Sequence, residues 1–324
     1  MYKLKQIPED FFVREIPGYE LSEEGDYSIF LLEKKNYTTE RAIQAICNNL
    51  NIRRTKIAYA GNKDKHAVTE QYISIERLKH KLDDYELKDL KLTFMGFSKE
   101  PLSLGHLKGN YFEIVIRNLE KNTSIKHLDL IPNCFDQQRF SNNNVNIGRC
   151  ILKKDFKKAV SEILLNNGDY EQKTKEHLKK NMNDYVGALR KIPKKILLLF
   201  IHAYQSFIFN KTITKYLELN IMDNEKIPIV GFGTDYTNDK IEQIVQEILE
   251  EENISERDFI IPSLPDLSCE GNDRDLFIEL KDLKVGTMVE DDLNKGMFKV
   301  NVSFNLPKGS YATYVIKELL TRKL

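Results

Sequence analysis

The distribution of strand-like and helix-like patterns along the chain constrains its fold more than any other feature. Apolar and polar residues alternate in the run from 111 to 117 and, more cleanly, in the run from 298 to 305. Period-two alternation predicts strands that turn one face inward. The region between them has helical spacing instead, for example from 241 to 249. The two distant strand runs should therefore pair in one sheet that a helix-rich insertion interrupts.

The first part of the chain alternates strands and helices. Residues 27–35 (YSIFLLEKK) predict a strand, and ERAIQAICNNL, which follows Thr38 and Thr39, predicts an amphipathic helix with a threonine cap. KIAYAG and QYISIER predict two further strands around a polar turn. With 324 residues, the chain exceeds the usual size of one core. We predict a discontinuous domain of residues 1–130 plus 286–324 and an inserted domain of residues 131–285.

Bulk composition indicates a soluble globular protein, with 41% hydrophobic and 30% charged residues. No signal-peptide core follows the first lysines, and no uninterrupted apolar run reaches membrane-spanning length. We therefore expect a soluble, cytoplasmic protein. The four cysteines lie far apart, without zinc-ligand spacing, and are expected to be free thiols.

Charge is unevenly distributed although the formal net charge is zero. From Glu171 to Lys195 there are eight Lys and Arg against three acids, whereas Glu242 to Asp258 is strongly acidic. A neutral total is therefore compatible with a polarised surface. The alternative, that both runs are ordinary solvated helix faces, is equally open.

The segment YAGNKDKHAVTEQ, residues Tyr59 to Gln71, is the most distinctive in the chain. It predicts a polar loop between two strands, with Asp64 flanked by two lysines. In a pocket, such cations would keep the carboxylate ionised, as a nucleophile or base requires. By itself the run is also typical of a charged hairpin turn. No phosphate-binding GxxxxGK[ST] loop, complete GxGxxG or HExxH is present, so no motif supports a nucleotide cofactor or a metal.

AGNKDKHAVTEQ nevertheless closely resembles the signature segment of TruD-type pseudouridine synthases. Further similar segments follow in the family's order: LKQIPEDFFVREI, LGHLKGNYFEIVIR, IPNCFDQQRF and LPKGSYATYVIKELL. The resemblance implies an α+β fold of the pseudouridine synthase type. Its catalytic domain would be a mixed, largely antiparallel sheet flanked by helices, and the insertion would be an α/β domain specific to the family.

The resemblance also implies roles for individual residues. The family's nucleophilic aspartate falls on Asp64, and the lysine before PEDF falls on Lys5, which would pair with it. Asn110 would brace the loop, and Phe112 would stack on the target uracil. We add Lys63 and Lys65, which flank the aspartate, as substrate-binding residues. In the alternative interpretation Lys5 is a frayed terminal charge and Phe112 an ordinary core residue.

The segment from 132 to 141 resembles the family's PNYFGxQRFG. It departs from this pattern at Cys134, Asp136 and Ser141. Because glycine reaches positive φ more readily than Asp or Ser, the local turn is expected to differ. The matching residues are predicted either to contact RNA and brace the site or to be purely structural: Asn133, Gln138 and Arg139.

The activity that the resemblance implies is isomerisation of a uridine in structured RNA, first of all uridine 13 of transfer RNA, without a cofactor. The partners are then RNA and neither a membrane nor a metal, and we expect a monomer. Residue types leave open whether Asp64 attacks the sugar, attacks the base or removes a ribose proton. Two rivals remain: an RNA-binding protein that needs no catalysis, and another cofactor-free RNA enzyme, such as a hydrolase.

Overall fold

The computed structural model describes residues 1–76, 84–141, 143–166, 168–219, 225–236 and 238–320. It divides into two compact units, one formed by Met1–Ile131 with Glu279–Leu324 and the other by Pro132–Ile278. The predicted insertion ended later, at residue 285. The difference arises because residues 281–285 form a strand of the first unit.

Each unit has its own set of elements. The chain begins with the elements β1 (Phe11–Pro17), β2 (Tyr27–Lys35), α1 (Thr39–Leu50), β3 (Ile57–Tyr59), β4 (Val68–Glu76), β5 (Asp84–Leu87), β6 (Leu90–Ser98), β7 (Leu107–Leu119) and β8 (Leu130–Pro132). It continues with α2 (Gln137–Phe140), α3 (Asn144–Leu152), α4 (Phe156–Ile163), α5 (Asp169–Lys180), α6 (Tyr185–Leu189), α7 (Lys194–Glu218), β9 (Lys226–Ile229), α8 (Asp239–Glu252), β10 (Asn272–Asp275) and β11 (Phe277–Glu279). It ends with β12 (Lys281–Val285), β13 (Val289–Glu290), β14 (Phe298–Pro307) and α9 (Ala312–Leu320).

One sheet organises the first unit. Among the described residues it has ten strands in the order β12-β14-β7-β1-β4-β2-β6-β5, with β13 beside β14 and β3 beside β4. Strand β1 runs parallel to β4, and the other ladders are antiparallel. The predicted pairing of the two chain ends is confirmed, since Phe112 of β7 is in register with Phe304 of β14. The mixed, mostly antiparallel α+β architecture agrees with the sequence.

Helix α1 covers one face of this sheet. It begins as predicted, because the Thr38 hydroxyl accepts a hydrogen bond from the Arg41 amide at 3.2 Å. Its apolar side packs on the inward-facing residues of β2, β4 and β6. The period of two along β2 places Lys34 on the same face as Phe30 and Leu32, which are buried in this core. A cation therefore occupies a position that the pattern reserves for an apolar side chain.

The second unit is mostly helical, with a short antiparallel pair of β9 and β10. Helix α7 is long and apolar enough to cross a membrane by length and composition, but 61% of its most apolar window is buried inside the protein. It packs against α3 and α8. These are the properties of the core helix of a globular unit.

All four cysteines are buried thiols outside any disulfide, as the sequence predicted: Cys47, Cys134, Cys150 and Cys269. Burial raises the pKa of the thiols of Cys47, Cys150 and Cys269, so these groups are protonated at neutral pH and behave as small apolar side chains.

Candidate active site

The loop from residue 60 to 67 joins β3 to β4 and presents an exposed carboxylate. It has no regular secondary structure. Tyr59, just before it, pairs with Ile73, and Val68, just after it, pairs with Phe12 and Lys35. Asp64 stands in the middle of the loop, and 48% of its side chain is exposed. An open carboxylate on a loop between two sheet strands is a common placement for a reactive group.

Lys5 forms an ion pair with Asp64, although the two residues are far apart in the sequence. Its Nζ lies 2.6 Å from Asp64 Oδ2, and 17% of its side chain is exposed. The same Nζ lies 4.0 Å from the centroid of the Phe11 ring, within range of a cation–π contact. Two contacts fix the ammonium, so the pair is a defined feature of the fold rather than a frayed terminal charge.

A buried cluster holds the N-terminal segment that carries Lys5. Lys3 exchanges two backbone hydrogen bonds with Arg117 of β7, at 2.9 and 3.0 Å. The Arg117 guanidinium also binds Asp10 Oδ1 and Asp291 Oδ1, each at 2.7 Å, and Asp292 Oδ1 at 2.8 Å. Between these fixed points Lys5 adopts φ 56°, in the left-handed region. The segment is therefore attached to the sheet on both sides of the lysine.

The two lysines that flank Asp64 differ in environment. Lys65 is exposed, as a residue that contacts RNA should be. The Lys63 side chain is only 7% exposed, and its Nζ forms an ion pair at 2.8 Å with Glu15 of β1, which is fully buried. The substrate-binding role expected for Lys63 does not match this geometry. Instead, this buried ion pair attaches the loop to β1.

Phe112 and Asn110 of β7 lie on the same face of the sheet as Val13 and Glu15 of β1. The register pairs Glu15 with Asn110 and Val13 with Phe112. The Phe112 ring is 7% exposed, with ring-centroid distances of 6.0 Å to Phe11 and 5.7 Å to Phe304. Stacking on a base therefore requires a shift of this ring or its neighbours. The buried Asn110 Oδ1 has no hydrogen-bond partner within the described ranges.

The three residues predicted from PNCFDQQRF lie in the second unit. Asn133 is buried, donates to the Asp275 carbonyl at 3.0 Å and accepts from Arg274, which is a structural arrangement. Arg139 donates to Ser206 Oγ at 3.3 Å, and Gln138 is exposed on α2. Ser141, which stands where the family has glycine, adopts φ 48° and ψ −164°. Serine at this position thus adopts a backbone conformation that glycine reaches more readily.

The sequence did not lead us to predict four buried polar residues that contact the loop. They bond to the loop's own atoms: Glu15, Lys34, Thr39 and Gln71. The signal was present in the alternation, since Glu15 and Lys34 occupy inward positions of β1 and β2. Burial lowers the pKa of Lys34 to about 8; the negative charge of Asp64 opposes this shift, and the positive charge of Lys63 adds to it.

Within the described residues, no group of three or more His, Cys, Asp and Glu side chains is placed to hold a metal ion. What the site does offer is a carboxylate open to solvent, a lysine fixed beside it, and the ring of Phe112 on β7, which packs on the Phe11 ring that Lys5 contacts. This set can act on an electrophilic carbon or on a proton, next to a flat ring that needs a stacking partner.

Comparison with known proteins gives consistent matches along the chain. The family model described as "tRNA pseudouridine synthase D (TruD)" matches residues 2–176, 164–226 and 224–319. The tRNA pseudouridine synthase D of Aquifex aeolicus is 31% identical, with 98% of this chain and 97% of that protein covered. A probable tRNA pseudouridine synthase D of Nanoarchaeum equitans is 32% identical, with 98% of each covered.

The fold is similar to a solved structure as well. The crystal structure of the putative tRNA pseudouridine synthase D of Methanosarcina mazei superposes with a TM-score of 0.78 at 26% identity, covering 98% of this chain and 93% of that one. The family model, the full-length relatives and the shared fold agree. The chain belongs to the TruD family and is a pseudouridine synthase.

Proposed function

We propose that this enzyme converts uridine 13 of transfer RNA to pseudouridine, with Asp64 as the catalytic carboxylate. The observation that carries the proposal is the ion pair of Lys5 and Asp64, in which an exposed carboxylate is fixed on a loop at the sheet. The position in transfer RNA follows from the family resemblance.

The reaction rearranges bonds without net oxidation or reduction. The N1–C1′ glycosidic bond breaks, the uracil turns, and a C5–C1′ bond forms, while C5 loses a proton and N1 gains one. Asp64 acts on the nucleotide as nucleophile or base, and Lys5 keeps the carboxylate in its reactive orientation. An open carboxylate is suited to this task because it can approach the sugar and the base without displacing a protein partner.

Phe112 serves as the stacking surface for the uracil while it is detached from the ribose. Stacking of a base on an aromatic ring contributes about 1 to 3 kcal/mol and requires only the flat face that every base offers. Asn110, two positions earlier on the same face, keeps a free buried acceptor in this region and braces the site once RNA is bound. The target uridine must leave its stack, at a cost of a few kcal/mol that is lowest in loops.

The second unit corresponds to the family's inserted domain, and we assign RNA-backbone binding to its basic run. Exposed lysines lie on α5, just before α7 and at its start: Lys173, Lys179, Lys180, Lys191, Lys194 and Lys195. Arg139 and the exposed Gln138 are further RNA contacts, Lys65 is the contact from the catalytic loop, and Asn133 supports the local backbone. The protein is proposed to be a cytoplasmic monomer, which light scattering with chromatography would test.

The decisive experiment measures pseudouridine in unmodified transfer RNA, treated with the wild type or with Asp64→Asn. The asparagine keeps the shape of the side chain and removes its charge. We expect product at position 13 with the wild type, no product with Asp64→Asn, and equal RNA affinity for both.

A transfer RNA with cytidine at position 13 is the matched substrate control. Product elsewhere in this RNA would contradict the proposed position, and activity retained by Asp64→Asn would contradict the proposed carboxylate. RNA binding without product from any substrate would favour a protein that binds RNA without catalysis.

A further inference from the structure

Four buried polar side chains converge on the loop that carries Asp64. They come from four different elements, β1, β2, α1 and β4, and each residue is at most 1% exposed: Glu15, Lys34, Thr39 and Gln71. Polar groups of this kind are costly to bury unless they are hydrogen-bonded. All four bond to one irregular loop, so their common effect is on that loop.

The individual bonds leave the loop little freedom. Gln71 Nε2 donates to the Gly61 carbonyl at 2.9 Å, and the Lys63 amide donates to Thr39 Oγ1 at 3.0 Å. Thr39 Oγ1 in turn donates to Gln71 Oε1 at 2.8 Å, which links the two anchors. The ion pair between Lys63 and Glu15 completes the attachment. Main-chain and side-chain groups of the residues before Asp64 are thus bound to buried side chains of β1, α1 and β4.

Lys34 holds the catalytic residue itself. Its Nζ donates to the main-chain oxygen of Asp64 at 2.8 Å and to that of Tyr37 at 2.7 Å. The second bond ties the loop to the turn before α1, so one ammonium connects two irregular segments. Lys34 is among the largest fully buried side chains, and both of these bonds go to backbone oxygens.

This arrangement is expensive for the fold. In the described part of the chain no carboxylate lies within bonding distance of this ammonium. Its desolvation is therefore costly, and an apolar residue would suit this position of β2 better. Asp64 itself uses its carboxylate for Lys5, while Lys34 binds its main-chain oxygen. The lysine therefore fixes the position of the residue without occupying the reactive group.

We propose that Lys34 is a positioning residue of the reaction, which holds the Asp64 main chain so that the carboxylate stays aligned with the bound uridine. Thr39 and Gln71 act with it as secondary anchors. This inference rests on the proposed catalytic role of Asp64.

The first test compares Lys34→Met with the wild type in single-turnover and steady-state pseudouridine formation on transfer RNA. Methionine keeps the length and removes the two hydrogen bonds. Since misplacement of a reacting group by about 1 Å can cost about 100-fold, we expect kcat to fall by about 10- to 100-fold. KM and the RNA dissociation constant should change by less than about twofold, because Lys34 is buried and does not reach RNA.

Lys35→Met is the matched control. Lys35 is the next residue of β2, is 39% exposed on the opposite face and pairs with Glu9. Its kcat should equal that of the wild type. A Lys34→Met protein that is folded, as judged by its unfolding midpoint, and retains kcat within about threefold would overturn the proposal.

Thr39→Val is a second variant that does not disturb the buried charge. It removes only the hydroxyl that holds the Lys63 amide, and kcat should again fall while KM is kept. If Lys34→Met does not fold, unchanged kcat in Thr39→Val overturns the anchoring mechanism. Failure of the proposed function gives a different result. An inactive wild type or an active Asp64→Asn variant would contradict the proposed function and would not test the anchors.

Discussion

The stability of the first unit should depend on pH through Lys34, and the sign of this dependence follows from its burial. The folded state lowers the pKa of Lys34 to about 8 from the ordinary value of 10.5. Between these values the unfolded chain binds the proton and the folded chain does not. The free energy of unfolding therefore rises with pH across this window, and the destabilisation is fully present below about pH 8.

The magnitude follows from the separation of the two values. A gap from about 8 to 10.5 corresponds to about 3 kcal/mol, because one pKa unit is worth about 1.4 kcal/mol. Other lysines and tyrosines also titrate in this range, but their contributions cancel between two variants that differ at Lys34 only. The measurable quantity is thus the stability difference between the wild type and Lys34→Met.

Urea-induced unfolding at about pH 7 and about pH 10 tests this prediction. The difference, wild type minus Lys34→Met, should shift in favour of the wild type by about 2 to 3 kcal/mol over that range. In the control, Glu9 raises the pKa of the exposed Lys35 ammonium, so the corresponding difference for Lys35→Met should not shift in this direction. A difference for Lys34→Met that is independent of pH would refute the reasoning.

Three further predictions follow from individual contacts. Arg117→Met should lower the free energy of unfolding by about 3 to 5 kcal/mol, because it leaves Asp10 and Asp291 buried without their cation; a loss below about 1 kcal/mol in urea unfolding would contradict this. Ser141→Gly should stabilise the protein by about 1 kcal/mol, read from the unfolding midpoint, since serine is strained at φ 48°. Lys5→Met should reduce kcat by about 100-fold and change the free energy of unfolding by less than about 1 kcal/mol, because the ion pair with Asp64 is partly exposed. Lys5→Arg should retain part of the activity. Full activity of Lys5→Met would exclude the ion pair from catalysis.

Local patterns predicted the architecture of the first unit well. The alternation in 111–117 and 298–305 predicted strands that the structure pairs directly, and Thr38 caps α1 as expected. These features depend on near neighbours in the chain, where periodicity and capping are informative. The end of the insertion was placed too late because residues 281–285 alternate weakly, and only the pairing of β12 with β14 identifies them as part of the sheet.

Site residues that belong to a sequence motif could be predicted. Site residues whose role depends on tertiary contacts could not. The segment around Asp64 was recognisable, and so was Lys5 by resemblance. Lys63 was predicted to bind the substrate because it flanks Asp64. Its partner Glu15 comes from another strand, 48 residues away, and no local pattern contains that contact. Burial of a charge is decided by such distant partners.

The catalytic loop combines an exposed carboxylate with a fixed backbone, and this combination explains the buried polar groups. A loop held through the Asp64 side chain would lose its anchor whenever the carboxylate engaged the substrate. Anchors on the main-chain oxygen of Asp64, the amide of Lys63 and the carbonyl of Gly61 avoid this conflict. They remain in place while the carboxylate, still oriented by Lys5, engages the nucleotide. The desolvation cost of Lys34 is then borne by the folded state before RNA binds, so that no reorganisation of the loop adds to the barrier of the reaction.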